Sequence, residues 1–147
     1  MTGDPARLQW PSSVPPPAQD GWHWTFSHVS ELPRARAQLR AGLAAEAVPD
    51  DPDAAERDEA VVLAFDEMAS NALRHGGGGV TARVQRTARA WLVEVCDEAP
   101  SRPPEPAVDR DPSQGGLGLY LIAEMSDAHG WHLDETTKSV WALLPRR

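Results

Sequence analysis

The stretch that decides the fold is FDEMASNALRHGGGG, residues 65–79. Its informative pair is Glu67 and Asn71, which stand four residues apart. Four residues is just over one helical turn, so a carboxylate and a carboxamide leave the same helix on the same side. Stepping about 100° per residue, Val61, Phe65, Met68, Ala69 and Ala72 fall on one arc. Leu63, Glu67, Asn71 and Arg74 share a stripe on the other side. The apolar arc is the core-facing one. By itself the stripe reads as an ordinary solvated helix face, because charged helix faces are common. The glycines from Gly76 to Gly79 end the helix, since glycine readily takes the left-handed conformation beyond a helix C-terminus, and Arg74 and His75 suit the negative end of its dipole.

Working outward, 147 residues with 41% hydrophobic content can bury one real core. A net charge of -8 opposes encounter with nucleic acid or an anionic membrane, so the expected partners are proteins or small molecules. No apolar run approaches the roughly 20 residues needed to cross a bilayer, and the first residues lack a secretory pattern, which predicts a cytoplasmic protein. Cys96 is the only cysteine, so an internal disulfide and a cysteine-based zinc site are both excluded. Lys138 is the only lysine, and any phosphate binding must use arginine, Lys138, backbone N–H groups or a metal.

Residues 1–21 contain Pro5, Pro11, Pro15, Pro16 and Pro17 and no helical or strand period, which predicts a disordered or polyproline-like tail before one domain at 22–147. Trp22, Trp24 and Phe26 alternate with polar residues and suit a short, edge-type first strand with its aromatic side inward. Ser30 is the expected N-cap of a helix over 31–47, carried by Leu32, Ala35, Leu39 and Leu43. After an acidic, proline-bounded turn the central helix begins between Ala54 and Arg57. Residues 80–87 and 90–97 read as an antiparallel hairpin turning near Ala88. In its second strand Trp91, Val93, Val95 and Asp97 share one face, so Asp97 ends an apolar row. Residues 98–114 hold five prolines and no period, a loop long enough to be functional or disordered. An apolar helix is expected over 117–129, with Leu117, Leu121, Ile122 and Met125 buried and Gly130 stopping it. Two strands, 131–135 and 139–144, finish the chain. The predicted fold class is α+β, a two-layer sandwich with helices on one face of a mixed, mostly antiparallel sheet.

Two phosphate-loop readings of Gly115, Gly116 and Gly118 fail on context. A dinucleotide fingerprint needs a strand directly before the glycines and a third small residue, and position 121 is leucine. A P-loop needs a Gly-Lys-Ser or Gly-Lys-Thr, which Lys138 does not provide. What remains is a helix N-terminus with small residues, whose N–H groups can hold an anion.

Taken in order, Glu67 and Asn71 on a helix, a strand ending in Asp97, a long proline-rich loop, GGLGLYLI opening a helix and VWALLP on the last strand resemble the Bergerat-fold ATPases. That superfamily includes gyrase, histidine kinases and heat-shock chaperones. Within it the chain is most similar to the bacterial anti-sigma-factor serine/threonine kinases and their actinobacterial relatives. The resemblance covers most of the chain, from Trp24 to Pro145. It implies ATP and Mg²⁺ as cofactors, with Asn71 ligating Mg²⁺ between the nucleotide phosphates and Glu67 as general base. It implies that Asp97 accepts a hydrogen bond from the adenine amino group. Residues 98–114 would form a lid, and the backbone of Gly115, Gly116, Leu117, Gly118 and Leu119 would approach the phosphates. Its implied partners are a sigma factor and an anti-sigma-factor antagonist protein, and a homodimer is compatible with it. The chain departs from the family where Glu98, Ala99 and Pro100 follow Asp97 in place of glycines, and where Thr137 replaces a glycine.

The resemblance leaves two readings of function: a kinase that phosphorylates a partner protein on serine or threonine, and a nucleotide-binding module that regulates by contact alone. The catalytic part of a sensor histidine kinase would need a helical phospho-acceptor hairpin upstream, which the proline-rich start is not expected to supply.

Overall fold

The computed structural model describes residues 9–75, 78–98 and 117–146. Its elements are β1 (Gln19–Phe26), a 3-10 turn (Val29–Glu31), α1 (Leu32–Glu46), α2 (Ala54–His75), β2 (Val80–Arg86), β3 (Ala90–Asp97), α3 (Leu117–Met125), β4 (Ala128–Asp134) and β5 (Thr137–Pro145). The five strands form one sheet in the order β1-β2-β3-β5-β4, and every neighbouring pair is antiparallel. The α+β class and the helix layer on one face are as expected.

The core lies between the sheet and α2. The arc of α2 that faces inward carries Val61, Phe65, Met68, Ala69 and Ala72, all buried, joined by Val62 and Ala64. They meet the alternate residues Val80, Ala82 and Val84 of β2 and Trp91, Val93 and Val95 of β3. Period 3.6 on the helix and period 2 on the strands thus select the same interface. α1 covers the β1 end through Leu32, Ala35, Leu39 and Leu43, all buried. Phe65 stands at the centre, with Trp24 at 4.9 Å and Phe26 at 6.1 Å edge-on to its ring. Arg36 to Asp66 and Arg40 to Glu59, each at 2.7 Å, tie the outer sides of α1 and α2. The Arg40 pair is exposed and fixes orientation more than it stabilises, whereas the Arg36 pair is half-buried.

Three local boundaries differ from expectation. The entry to α1 is a 3-10 turn rather than a Ser30 cap, and Glu31 Oε1 accepts the backbone N–H of Ser27 and of His28, each at 2.8 Å. α3 ends at Met125 instead of continuing to residue 129, because the chain at Asp127 already donates to the Leu143 carbonyl of β5 at 2.9 Å. Gly130 therefore sits inside β4, opposite Trp141, and stops no helix. The buried side of α3 is Leu119, Ile122 and Ala123, whereas Leu121 is 41% exposed.

The largest difference lies at the N-terminal end. Residues 9–21 are ordered against the domain: the tail expected over 1–21 does not describe them, and residues 1–8 lie outside the described part. Trp10 is buried in the core, with its ring 4.7 Å from that of His129. His129 Nε2 lies 2.6 Å from the Gln9 carbonyl, and its Nδ1 lies 3.0 Å from Ser126 Oγ. Residues 11–13 run parallel to the outer edge of β4, where Ser13 donates to the Trp131 carbonyl at 2.8 Å and Trp131 donates to the Pro11 carbonyl at 3.0 Å. The free edge of β4 is thereby covered over those residues. β1 then begins at Gln19, on the opposite edge of the sheet. Trp141, on the face away from the helices, donates from Nε1 to the Ser13 carbonyl at 2.8 Å, which places the start of this strap on the open face. Residues 14–18, with Pro15, Pro16 and Pro17, link the two ends.

Candidate functional site

The C-terminal half of α2, the end of β3, the start of α3 and the start of β5 converge on one cleft. It is lined by Met68, Asn71, Ala72 and His75 from α2, Val95 and Asp97 from β3, Leu119 from α3, and Lys138 and Val140 from β5. Strand register explains the lower wall. Val95 pairs with Val140 and Asp97 with Lys138 across β3 and β5, so all four side chains project toward the helix layer. Asp97, ending the row Trp91, Val93, Val95, is 3% exposed. Such burial of a carboxylate requires partners, and the Lys138 ammonium stands 3.9 Å from Asp97 Oδ2. Lys138 is itself 9% exposed. Sequence reading notes Lys138 only as the sole lysine; what places it beside Asp97 is the pairing of two strands about 40 residues apart, a non-local property.

On the upper wall the helical stripe divides. Asn71 faces the cleft, whereas Glu67, one turn earlier, lies outside the cleft lining and against α3. A Cβ on Gly118 would lie 2.2 Å from Glu67 Oε2. Only a glycine backbone lets the carboxylate approach so closely, which explains why residue 118 has no side chain. The two motifs, separate in sequence, are thus joined by direct packing. Gly115 and Gly116 and the loop at 99–114 fall outside the described residues, and of Leu117 only the backbone is described. Leu119 lies beside the cleft as a buried apolar wall.

Beyond α2, Gly78 has φ 69°, the left-handed conformation expected of the glycine run. The space a side chain would occupy there is taken by the Glu98 carboxylate. Glu98, the first residue of the departure after Asp97, is not among those lining the cleft. Cys96 points to the other face of the sheet, where burial and the neighbouring Glu94 charge push its thiol pKa up. With its pKa raised, that thiol is protonated at neutral pH and packs as a small, half-buried group.

A buried carboxylate at the end of an apolar floor and a carboxamide on the facing helix form a polar pair suited to a nucleotide. Among the described residues no group of three or more His, Cys, Asp and Glu side chains could hold a metal ion. A magnesium ion would fit this site as one that takes an amide oxygen from Asn71 and most of its remaining ligands from phosphate and water. No helix among the described residues is long and apolar enough to cross a membrane.

No protein with a curated description matches the chain. The sequence profile of the histidine kinase-like ATPase domain matches residues 27–143, most of the chain and all the elements that build the cleft. On that match the chain belongs to the histidine kinase-like ATPase domain family of ATP-binding modules.

Proposed function

We propose that the protein is an ATP-dependent regulator of the anti-sigma-factor type, a Mg²⁺-dependent serine/threonine kinase that phosphorylates an anti-sigma-factor antagonist and sequesters a sigma factor. The observation that carries the nucleotide part is the cleft itself, where Asn71 and the buried Asp97 face the same space. The resemblance of the ordered motifs to anti-sigma-factor kinases supports the protein partners. In this reading Asp97 accepts from the base, Asn71 would hold the ion, and the backbone at Gly118 lies alongside the phosphates. The ion supplies neutralisation of phosphate charge. Glu67 takes the proton of the partner's hydroxyl as its oxygen bonds to the γ-phosphorus, and the bond from that phosphorus to the bridging oxygen breaks to release ADP.

A second reading, a nucleotide-binding module that works by contact alone, is favoured by one observation: the Glu67 carboxylate packs on Gly118 instead of lining the cleft. Two variants separate the readings. Asn71→Ala should lose Mg²⁺-dependent ATP binding in calorimetry. Glu67→Ala should keep that binding and lose about 10²- to 10⁴-fold in transfer rate, the usual effect of removing a general base. The partner is recovered by pull-down with Glu67→Ala and identified by mass spectrometry. If wild type and Glu67→Ala hold the same partner and neither transfers phosphate to it, the contact-only module is the correct reading.

A further inference from the structure

Lysine is among the residues least often buried, yet the only lysine of this chain is 9% exposed and lies inside the cleft. It reaches that position because Lys138 and Asp97 are register partners on β5 and β3, both directed toward the helix layer. Their head groups stand 3.9 Å apart, close enough for mutual charge compensation and longer than a hydrogen bond. The floor of the cleft therefore presents a donor and an acceptor side by side. An ammonium carries three N–H donors and no acceptor, and an ionised carboxylate only accepts.

Neighbouring positions on the Watson–Crick edge of a purine have the complementary pattern. In adenine the N6 amino group donates and N1 accepts; in hypoxanthine and guanine N1–H donates and O6 accepts. We propose that Lys138 is a base-reading residue whose ammonium donates to the purine acceptor adjacent to the group whose hydrogen Asp97 accepts, so that the pair selects adenine nucleotides over 6-oxopurine nucleotides. The inference rests on the nucleotide reading above and adds the residue that sets its base specificity. For ADP the contacts are N6–H to Asp97 and N1 from Lys138. IDP in the same pose would set its O6 against Asp97, a contact between two acceptors that sites built on hydrogen bonding reject strongly. It would also set N1–H against the Lys138 ammonium, a contact between two donors.

The test is a chemical double cycle measured by calorimetry on the full chain, with ADP, 1-deaza-ADP, in which N1 is replaced by C–H, and IDP as probes. Wild type should bind 1-deaza-ADP about 5- to 150-fold more weakly than ADP, the usual effect of losing one partner of a buried hydrogen bond. Lys138→Met should weaken ADP by a similar factor and leave 1-deaza-ADP nearly unchanged, because both changes remove the same contact. IDP should bind wild type more than about tenfold more weakly than ADP, because its O6 and N1–H would face Asp97 and Lys138 with like against like; IDP binding equal to ADP overturns the proposal. Equal binding of ADP and 1-deaza-ADP by wild type overturns the proposal without any variant, so a poorly folded Lys138→Met cannot obscure it. Equal weakening of both nucleotides by Lys138→Met also overturns it, and assigns the lysine to phosphate binding or to holding Asp97. In either case nucleotide binding itself stands. If wild type binds none of the three, the nucleotide reading falls and this inference falls with it.

Discussion

Gly118→Ala probes the contact that joins the two halves of the cleft. The added methyl would stand 2.2 Å from Glu67 Oε2, 2.6 Å from its Cδ and 2.7 Å from its Cγ. No carbon tolerates those distances, so either Glu67 rotates away or the first turn of α3 draws off α2. Rotation is the cheaper response, because a side chain forced about 30° off its rotamer costs roughly 0.5–1.5 kcal/mol. Alanine in place of glycine gives back up to about 1 kcal/mol in a helix interior, and less in a first turn such as this. The two nearly cancel, so Gly118→Ala alone should change the unfolding free energy by less than about 1 kcal/mol. In a Glu67→Ala background the clash is gone and only the helical gain remains, so the same substitution should stabilise by a few tenths to about 1 kcal/mol. The difference, about 0.5–1.5 kcal/mol, is the coupling energy between the two positions, above the roughly 0.3–0.5 kcal/mol scatter of independent sites. Urea unfolding of wild type, both single variants and the double variant measures it, with the six tryptophans as the fluorescence signal. Additive effects across the four proteins would refute the packing of Glu67 on Gly118, and with it the account of why residue 118 is glycine.

Two further outcomes are expected. Trp10→Ala should destabilise the domain by about 3–5 kcal/mol in the same unfolding assay, the usual cost of deleting a buried tryptophan side chain; a loss below about 0.5 kcal/mol, the range of surface substitutions, would show that residues 9–13 do not belong to the folded unit. Cys96, whose thiol pKa is raised by burial and by Glu94, should react with iodoacetamide more slowly at pH 8 than an unfolded control in urea, with the gap narrowing as pH rises and the thiolate forms; a native rate equal to the control would contradict the burial.

Sequence periodicity carries information about an element only where apolar and polar residues are set apart. On α2 they are: the arc through Val61, Phe65 and Met68 and the stripe through Glu67 and Asn71 are distinct in sequence and distinct in the structure. The same holds for β3, where the alternation that predicts Asp97 at the end of an inward row places it there with 3% exposure. α3 gives no such contrast. Leucine, isoleucine, alanine and methionine occur on nearly every side of LGLYLIAEM, so a 3.6-residue period does not select among its arcs, and the choice of Leu121 over Leu119 fails for that reason. Packing against α2 makes the selection instead.

The strap and the base-reading lysine are illegible for a different reason: each is defined by a pairing distant in sequence. Trp10 is a single aromatic among prolines, with no neighbour at helical or strand spacing to mark it as core. Its partner is His129, and the partner of Ser13 is Trp131. A polyproline segment has no internal hydrogen bonds and no hydrophobic period, so the composition that predicts disorder also suits an ordered strap, and only the distant pairings at its ends decide between them. Lys138 poses the same problem at the site. Shifting β5 by one residue against β3 would turn Lys138 to the open face and bring Ser139 into the cleft. The aligned pairs Asp97 with Lys138, Val95 with Val140 and Val93 with Ala142 put the apolar residues of both strands under α2. Burial of that apolar row fixes the register, and the register in turn carries the lysine to the carboxylate; the chemistry of the cleft floor is thus set by residues that touch no ligand.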